Sequence, residues 1–185
     1  PRKHAVDAQQ APGFVRVENP YFYRCPWNSN SMEECGELAL RNLEQVINYE
    51  NPGSVAAILM EGESGSSGCI KYPENYWQGL RRIADKYGIL LISDEVMSGF
   101  GRTGKWFGFQ HEDIKPDVMT LAKALGNGVP IGACLAAEAV SRVLKAGTHG
   151  STFGGNPLST RAGLAVVEAM EAGDIKHNAE KMGHY

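Results

Sequence analysis

The chain has 185 residues, 43% of them hydrophobic, and 18 basic against 21 acidic side chains give a net charge of −3. That length suits one ordinary domain with a real core, and the composition argues against wholesale disorder. No basic run interleaves with aromatics, which argues against nucleic acid, and no apolar run reaches the roughly 18 residues of a membrane span.

In chain order, residues 1–30 are rich in Pro, Gln, Asn and aromatics and read as an irregular lead-in, with Asn19-Pro20-Tyr21-Phe22-Tyr23-Arg24-Cys25-Pro26 at its end. A helix is expected to start near Ser31, whose hydroxyl can cap it while Glu34 reaches back. Leu38, Leu43, Val46 and Ile47 give it an apolar stripe, and Asn51-Pro52-Gly53 stops it. Val55 to Met60 is short and apolar on both faces, the pattern of a buried parallel strand. A loop of small residues, Gly62 to Gly68, leads to a second helix over Pro73–Tyr87, ended by Gly88. Ile89 to Ile92 reads as another buried strand running into Ser93-Asp94-Glu95-Val96. Pro116–Leu121 and Ile131–Ala136 are expected as third and fourth strands, with helices over Ala137–Leu144 and Pro157–Met170. Early alternation of strand and helix predicts an α/β fold with a mostly parallel central sheet flanked by helices, one strand of which could run the other way.

The four cysteines form no Cys-x-x-Cys pair and the five histidines show no ligand spacing with them. Neither a metal site nor a disulfide framework is expected; reduced, mostly buried thiols are. With no secretory leader read at the start, a soluble cytoplasmic protein is the expectation.

Ligands of open α/β sheets bind beyond the carboxyl ends of the strands. That rule selects Glu61, Asp94-Glu95 and Lys123. A lysine there can form a Schiff base once burial favours its neutral amine, and a buried carboxylate needs a cationic or hydrogen-bonding partner, such as a protonated pyridine nitrogen. Each residue also has an ordinary reading: the acid as a helix cap, the lysine as a side chain reaching out of a partly buried element. Ser151-Thr152, before Phe153-Gly154-Gly155-Asn156-Pro157, could be a plain turn or a concave patch of donors suited to phosphate.

Taken together, three ordered segments resemble one family. Asp94-Glu95-Val96-Met97-Ser98-Gly99-Phe100-Gly101-Arg102-Thr103-Gly104 is similar to the signature loop of the class III (ω-amino acid) aminotransferases. Thr120 to Leu125, followed by Gly128-Val129-Pro130-Ile131-Gly132, resembles that family's lysine segment, at the expected interval after Asp94. His149 to Leu158 resembles its phosphate-touching turn. The resemblance implies the large, cofactor-binding domain of a type I pyridoxal-phosphate enzyme. Lys123 would carry pyridoxal phosphate as a Schiff base and act as the catalytic base, Asp94 would pair with the ring nitrogen, and Val96 would pack on one ring face. Ser151 and Thr152 would bind phosphate, in this family usually that of the neighbouring subunit, so a homodimer with shared sites is implied. Glu61 and Met97 would lie near the site, while Arg102 and Gly104 would shape the loop.

Two departures from the family pattern stand out. Met97 takes a place where Gln is frequent, and Glu61-Gly62 replaces a usual Glu-Pro, a change expected to loosen the turn. The family's upstream phosphate loop, its stacking aromatic residue and the C-terminal domain with its carboxylate-binding arginine have no counterpart. With Pro1 at the start and a helical pattern interrupted at Met182-Gly183-His184-Tyr185, a piece of a longer enzyme is expected. Residues 1–172 would be the central part of the large domain, and 173–185 the start of a connection to a further one. The implied reaction moves an amino group from an ω-amino acid or amine to a keto acid such as pyruvate. Acetylornithine- or ornithine-type transfer to 2-oxoglutarate, a glutamate-1-semialdehyde aminomutase-like reaction, and an inactive dimerisation or interaction module are the alternatives; Asp94 and Lys123 together argue against the last.

Overall fold

The computed structural model describes residues 11–185; the expected irregular course of residues 1–10 lies outside them. After a single 3-10 turn at Phe22–Arg24, helix α1 spans Met32–Tyr49. Ser31 Oγ accepts the Glu34 N–H at 3.1 Å, as its position before the helix predicts. The Glu34 carboxylate, however, takes the Asn30 N–H at 2.6 Å, one residue further out than a capping box requires. The deepest line of α1 is Cys35, Ala39, Leu43 and Ile47, spaced by one helical turn, and the expected Leu38 and Val46 flank it half-buried.

Strands β1 (Ala57–Glu61), β2 (Leu90–Asp94), β3 (Val118–Leu121) and β4 (Ala133–Ala136) form one sheet in that order. The first three are parallel and β4 is antiparallel to β3. Helix α2 (Tyr76–Tyr87) joins β1 to β2 and stops at Gly88, whose φ of 67° is the left-handed cap that ends many helices. Asp117 pins the start of β3: its Oδ2 accepts both the Leu91 N–H and Arg81, each at 2.8 Å. Beyond β4 lie a short α3 (Glu138–Ser141), α4 (Pro157–Ala172) and α5 (Ile175–Gly183).

Strand alternation and register divide the sheet into two unlike faces. One carries Ile58, Leu91, Met119 and Leu121, and it supplies the strand residues of both buried clusters, one under α1 and α2 and the other under α4. The opposite face carries Leu59, Ile92 and Cys134, of which Leu59 is 54% exposed. The expectation that β1 is buried on both sides is therefore corrected: its apolar residues serve two faces, but only one is covered by core. The thiols also differ from expectation, since Cys35 is buried, Cys25 half-buried, and Cys69 and Cys134 exposed.

Tyr72 and Tyr76 sit in the first cluster with ring centroids 5.8 Å apart. Burial pushes the Tyr72 phenol from 10.0 up to about 12; the Ser64 hydroxyl opposes this, and the charges of Glu61 and Glu63 add to it. Tyr76 is pushed up too, by burial first and then by Tyr72. Folded-state values above the unfolded one mean that this stability is complete below pH about 10 and is lost as pH rises towards 12. Tyr72 alone should remove about 2–3 kcal/mol across that window. Urea midpoints measured through it should fall; a flat profile would contradict the burial argument.

Candidate active site

The carboxyl ends of β1, β2 and β3 are aligned by register, Glu61 beside Asp94 and Asp94 beside Thr120. Alternation places all three on the less covered face of the sheet, where each is half-buried. Asp94 Oδ1 accepts the Val96 N–H at 3.0 Å, which tightens the turn after β2; its other carboxylate oxygen makes no hydrogen bond among the described residues. Glu61 Oε2 accepts the Gly65 N–H at 3.0 Å and so holds the small-residue loop that follows it. Thr120, although inside the lysine segment, is a site neighbour that motif reading passed over; its register opposite Asp94 is the signal.

Lys123 lies two residues past β3 and opens a 3-10 turn, Lys123–Leu125. Its φ of 46° puts it in the left-handed region, a strained conformation for a residue with a Cβ. The side chain is exposed and forms no ion pair among the described residues, so the burial expected to favour its neutral amine is not found there. Because glycine adopts this conformation at little cost, Lys123→Gly should be more stable than Lys123→Ala by about 1 kcal/mol in urea unfolding. Equal stabilities would mean that the backbone is unstrained there.

Glu95, next to Asp94 but on the opposite face, is 1% exposed. It accepts hydrogen bonds from the Ser93 and Ser98 hydroxyls and from the Gly108 and Phe109 N–H groups, the last two at 2.8 and 3.0 Å. Four donors, one from β2, one from the loop after it and two from residues 108–109, thus converge on one side chain, making it the knot that ties these segments together. Gly62 belongs to the same knot. Its N–H bonds the Asp94 carbonyl at 3.0 Å, and a Cβ on it would collide with Ser98 Oγ. The turn after Glu61 is therefore closely packed instead of loose, and proline would lose the N–H bond as well. Met97 is half-buried and packs on Gly65, where a Cβ would come within 2.6 Å of Met97 Cγ.

Ser151 and Thr152 are not hydrogen-bonded to this group among the described residues. They are exposed in the turn before α4, and Ser151 Oγ accepts the Gly154 N–H at 3.1 Å, with no hydrogen bond to Asp94, Val96 or Lys123 among the described residues. Helix α5 folds back on the loop after Phe100, with Lys176 Nζ 4.4 Å from the Trp106 ring centre. A cleft of about 690 Å³ opens between that loop, the segment from Lys123 to Ile131, and α5. Lys123 borders it, but Asp94 and Val96 do not. No helix is long and apolar enough to cross a membrane, and no cluster of three or more His, Cys, Asp or Glu could hold a metal, among the described residues.

An acid and a lysine beyond adjacent strand ends of a mostly parallel sheet define an α/β unit of the kind that binds a ligand at its strand carboxyl ends. The family model for class-III aminotransferases matches residues 3–185, and the chain belongs to that family. It is 47% identical over 174 residues to an acetylornithine aminotransferase of Nitrosomonas europaea, covering 94% of this chain and 39% of that protein. It is 42% identical over 173 residues to a leucine/methionine racemase of Thermococcus litoralis, covering 91% and 38%. An amine transaminase from an uncultivated Pseudomonas species, solved with pyridoxal phosphate bound, superposes with a TM-score of 0.92 at 34% identity over 98% of this chain and 43% of that one. The chain spans about two-fifths of the length of the curated relatives it matches.

Proposed function

We propose that the chain is the cofactor-binding portion of a pyridoxal-phosphate-dependent transaminase that moves an amino group from an ω-amino acid or amine to a keto acid such as pyruvate. The observation that carries this reading is the pair of uncommitted groups at neighbouring strand ends. Asp94 keeps one carboxylate oxygen without a hydrogen bond, and Lys123 has no ion-pair partner, among the described residues. When bound, pyridoxal phosphate supplies an aldehyde that captures amines and a ring that delocalises the charge left when a proton departs. These residues fit it: an acceptor for a ring N–H and an amine able to hold an aldehyde.

In this account the spare oxygen of Asp94 accepts the ring N–H, while the Val96 N–H keeps the carboxylate oriented. Lys123 Nζ anchors the cofactor and then removes the proton from the amine-bearing carbon of the substrate. Val96 supplies an apolar surface for one ring face. Glu61 and Met97 serve indirectly, by fixing the loop around Gly65. Ser151 and Thr152, exposed and without a hydrogen bond to Asp94 among the described residues, suit a role on the phosphate held by a second copy in a homodimer. Residues 1–172 form the cofactor-binding unit, and 173–185 lead towards a further domain.

The acetylornithine aminotransferase relative and the amine transaminase neighbour both support transfer of an amino group. The racemase relative favours one second reading, an isomerase that uses the same acid and lysine. The assay that separates them supplies cofactor and an ω-amine, with and without pyruvate. In the full-length enzyme that contains this segment, alanine formation that needs both substrates and vanishes in Lys123→Ala is expected. Racemisation of an amino acid without any keto acid would overturn the transaminase reading in favour of the isomerase.

A further inference from the structure

The cleft between the loop after Phe100, the segment from Lys123 to Ile131, and α5 takes no part in the reaction proposed above beyond its border at Lys123. Its volume, about 690 Å³, lies within the range of small-molecule pockets. Phe100, Val129, Ile131 and Ile175 give it apolar surface, while Arg102, Lys123, Asn127 and Asn178 give it charge and amides. Among the described residues no carboxylate lines it, and neither cation forms an ion pair. An arginine beside apolar surface, with no acid to answer it, is a ready partner for a planar carboxylate, which the guanidinium holds with two parallel N–H donors.

The backbone of the walls is a second, independent sign. Seven described residues other than glycine have positive φ, and three of them line this one cleft: Phe100 at 55°, Lys123 at 46° and Asn127 at 45°. For a side chain as bulky as Phe100 that conformation is a costly outlier. Such strain persists only where the surroundings enforce it, and it gathers at ligand clamps. Phe100 is enforced by its neighbours, packing edge-on against Trp106 and Phe107 with ring centroids 6.4 and 6.1 Å apart. That wall is therefore in place before any ligand arrives.

We propose that this cleft binds an amphiphilic carboxylate, an apolar chain or ring that ends in a carboxylate group. The carboxylate lies on the Arg102 guanidinium, and the apolar body lies along Phe100, Val129, Ile131 and Ile175. The amides of Asn127 and Asn178 complete the polar lining, and the charge of Lys123 adds attraction for the anion. Walls already in place lower the ordering cost of binding. The proposal goes beyond the cofactor reading and does not rest on it, since it uses neither Asp94 nor Val96.

Saturation-transfer NMR tests this by titrating 4-phenylbutanoate into the full chain without pyridoxal phosphate. Saturable binding is expected, weaker by about 10-fold or more in Arg102→Ala and for the uncharged 4-phenylbutan-1-ol. Ala179→Phe fills the cleft from the α5 side and leaves every charge in place, and it should abolish binding. No saturable binding, equal affinity for the alcohol, or wild-type affinity in either variant would overturn the proposal. Displacement of the probe by an equal concentration of inorganic phosphate would also overturn it, by marking a site for bare anions. If a variant fails to fold, as read by circular dichroism, the comparison of acid with alcohol on the wild-type chain decides.

Discussion

Glu95→Ala is expected to destabilise the fold by about 3–5 kcal/mol, seen as a large drop in the urea midpoint followed by circular dichroism. The carboxylate is 1% exposed and satisfies two serine hydroxyls and two backbone N–H groups. Alanine leaves those donors buried without partners, and each unsatisfied group costs about 1–3 kcal/mol. Relaxation lets water reach some of them, so the total falls short of the sum. Since single domains are stable by only about 5–15 kcal/mol, the variant should be largely unfolded at moderate temperature. Glu95→Gln keeps the shape but turns an amide NH2 towards the Gly108 or Phe109 N–H, so a smaller loss of about 1–3 kcal/mol is expected. If alanine costs no more than glutamine does, Glu95 is not the knot described above.

Asp94→Asn should have the opposite profile, with stability nearly unchanged and cofactor affinity reduced about 10- to 100-fold. Asparagine retains an oxygen for the Val96 N–H, so the turn after β2 survives. What it loses is the negative charge that, on the proposed reading, would face the ring nitrogen, and a hydrogen bond to a charged group contributes about 1.5–3 kcal/mol. Equilibrium dialysis against pyridoxal phosphate measures that difference directly. Asp94→Ala should lose both the affinity and part of the turn. Unchanged affinity in Asp94→Asn would remove Asp94 from the cofactor site.

These two adjacent acids show how far the sequence could be read. Both stand at the end of an apolar strand, and the rule for α/β sheets selects the pair without saying which faces the ligand. Alternation separates them: Glu95 follows the buried Ser93, whereas Asp94 shares its face with Glu61 and Thr120. The cap at Ser31 and the stop at Gly88 were legible because each depends on one side chain or on its absence. The direction of β4 was not, because a short apolar strand reads alike in either sense. Nor was the uncovered face of β1, since Leu59 is apolar whether or not anything packs on it. The close turn at Gly62 was hidden for a different reason. It depends on Ser98, which follows a later strand, and only the fold brings the two together.

The most direct test of the central claim is where pyridoxal phosphate becomes attached. Borohydride added to the chain mixed with the cofactor fixes it to whichever amine holds it, and peptide mapping identifies that residue. Modification is expected to concentrate on Lys123 and to be absent from the corresponding peptide of Lys123→Ala. Modification spread evenly over exposed lysines such as Lys71, Lys105, Lys145 and Lys181, and equal in total in Lys123→Ala, would contradict it.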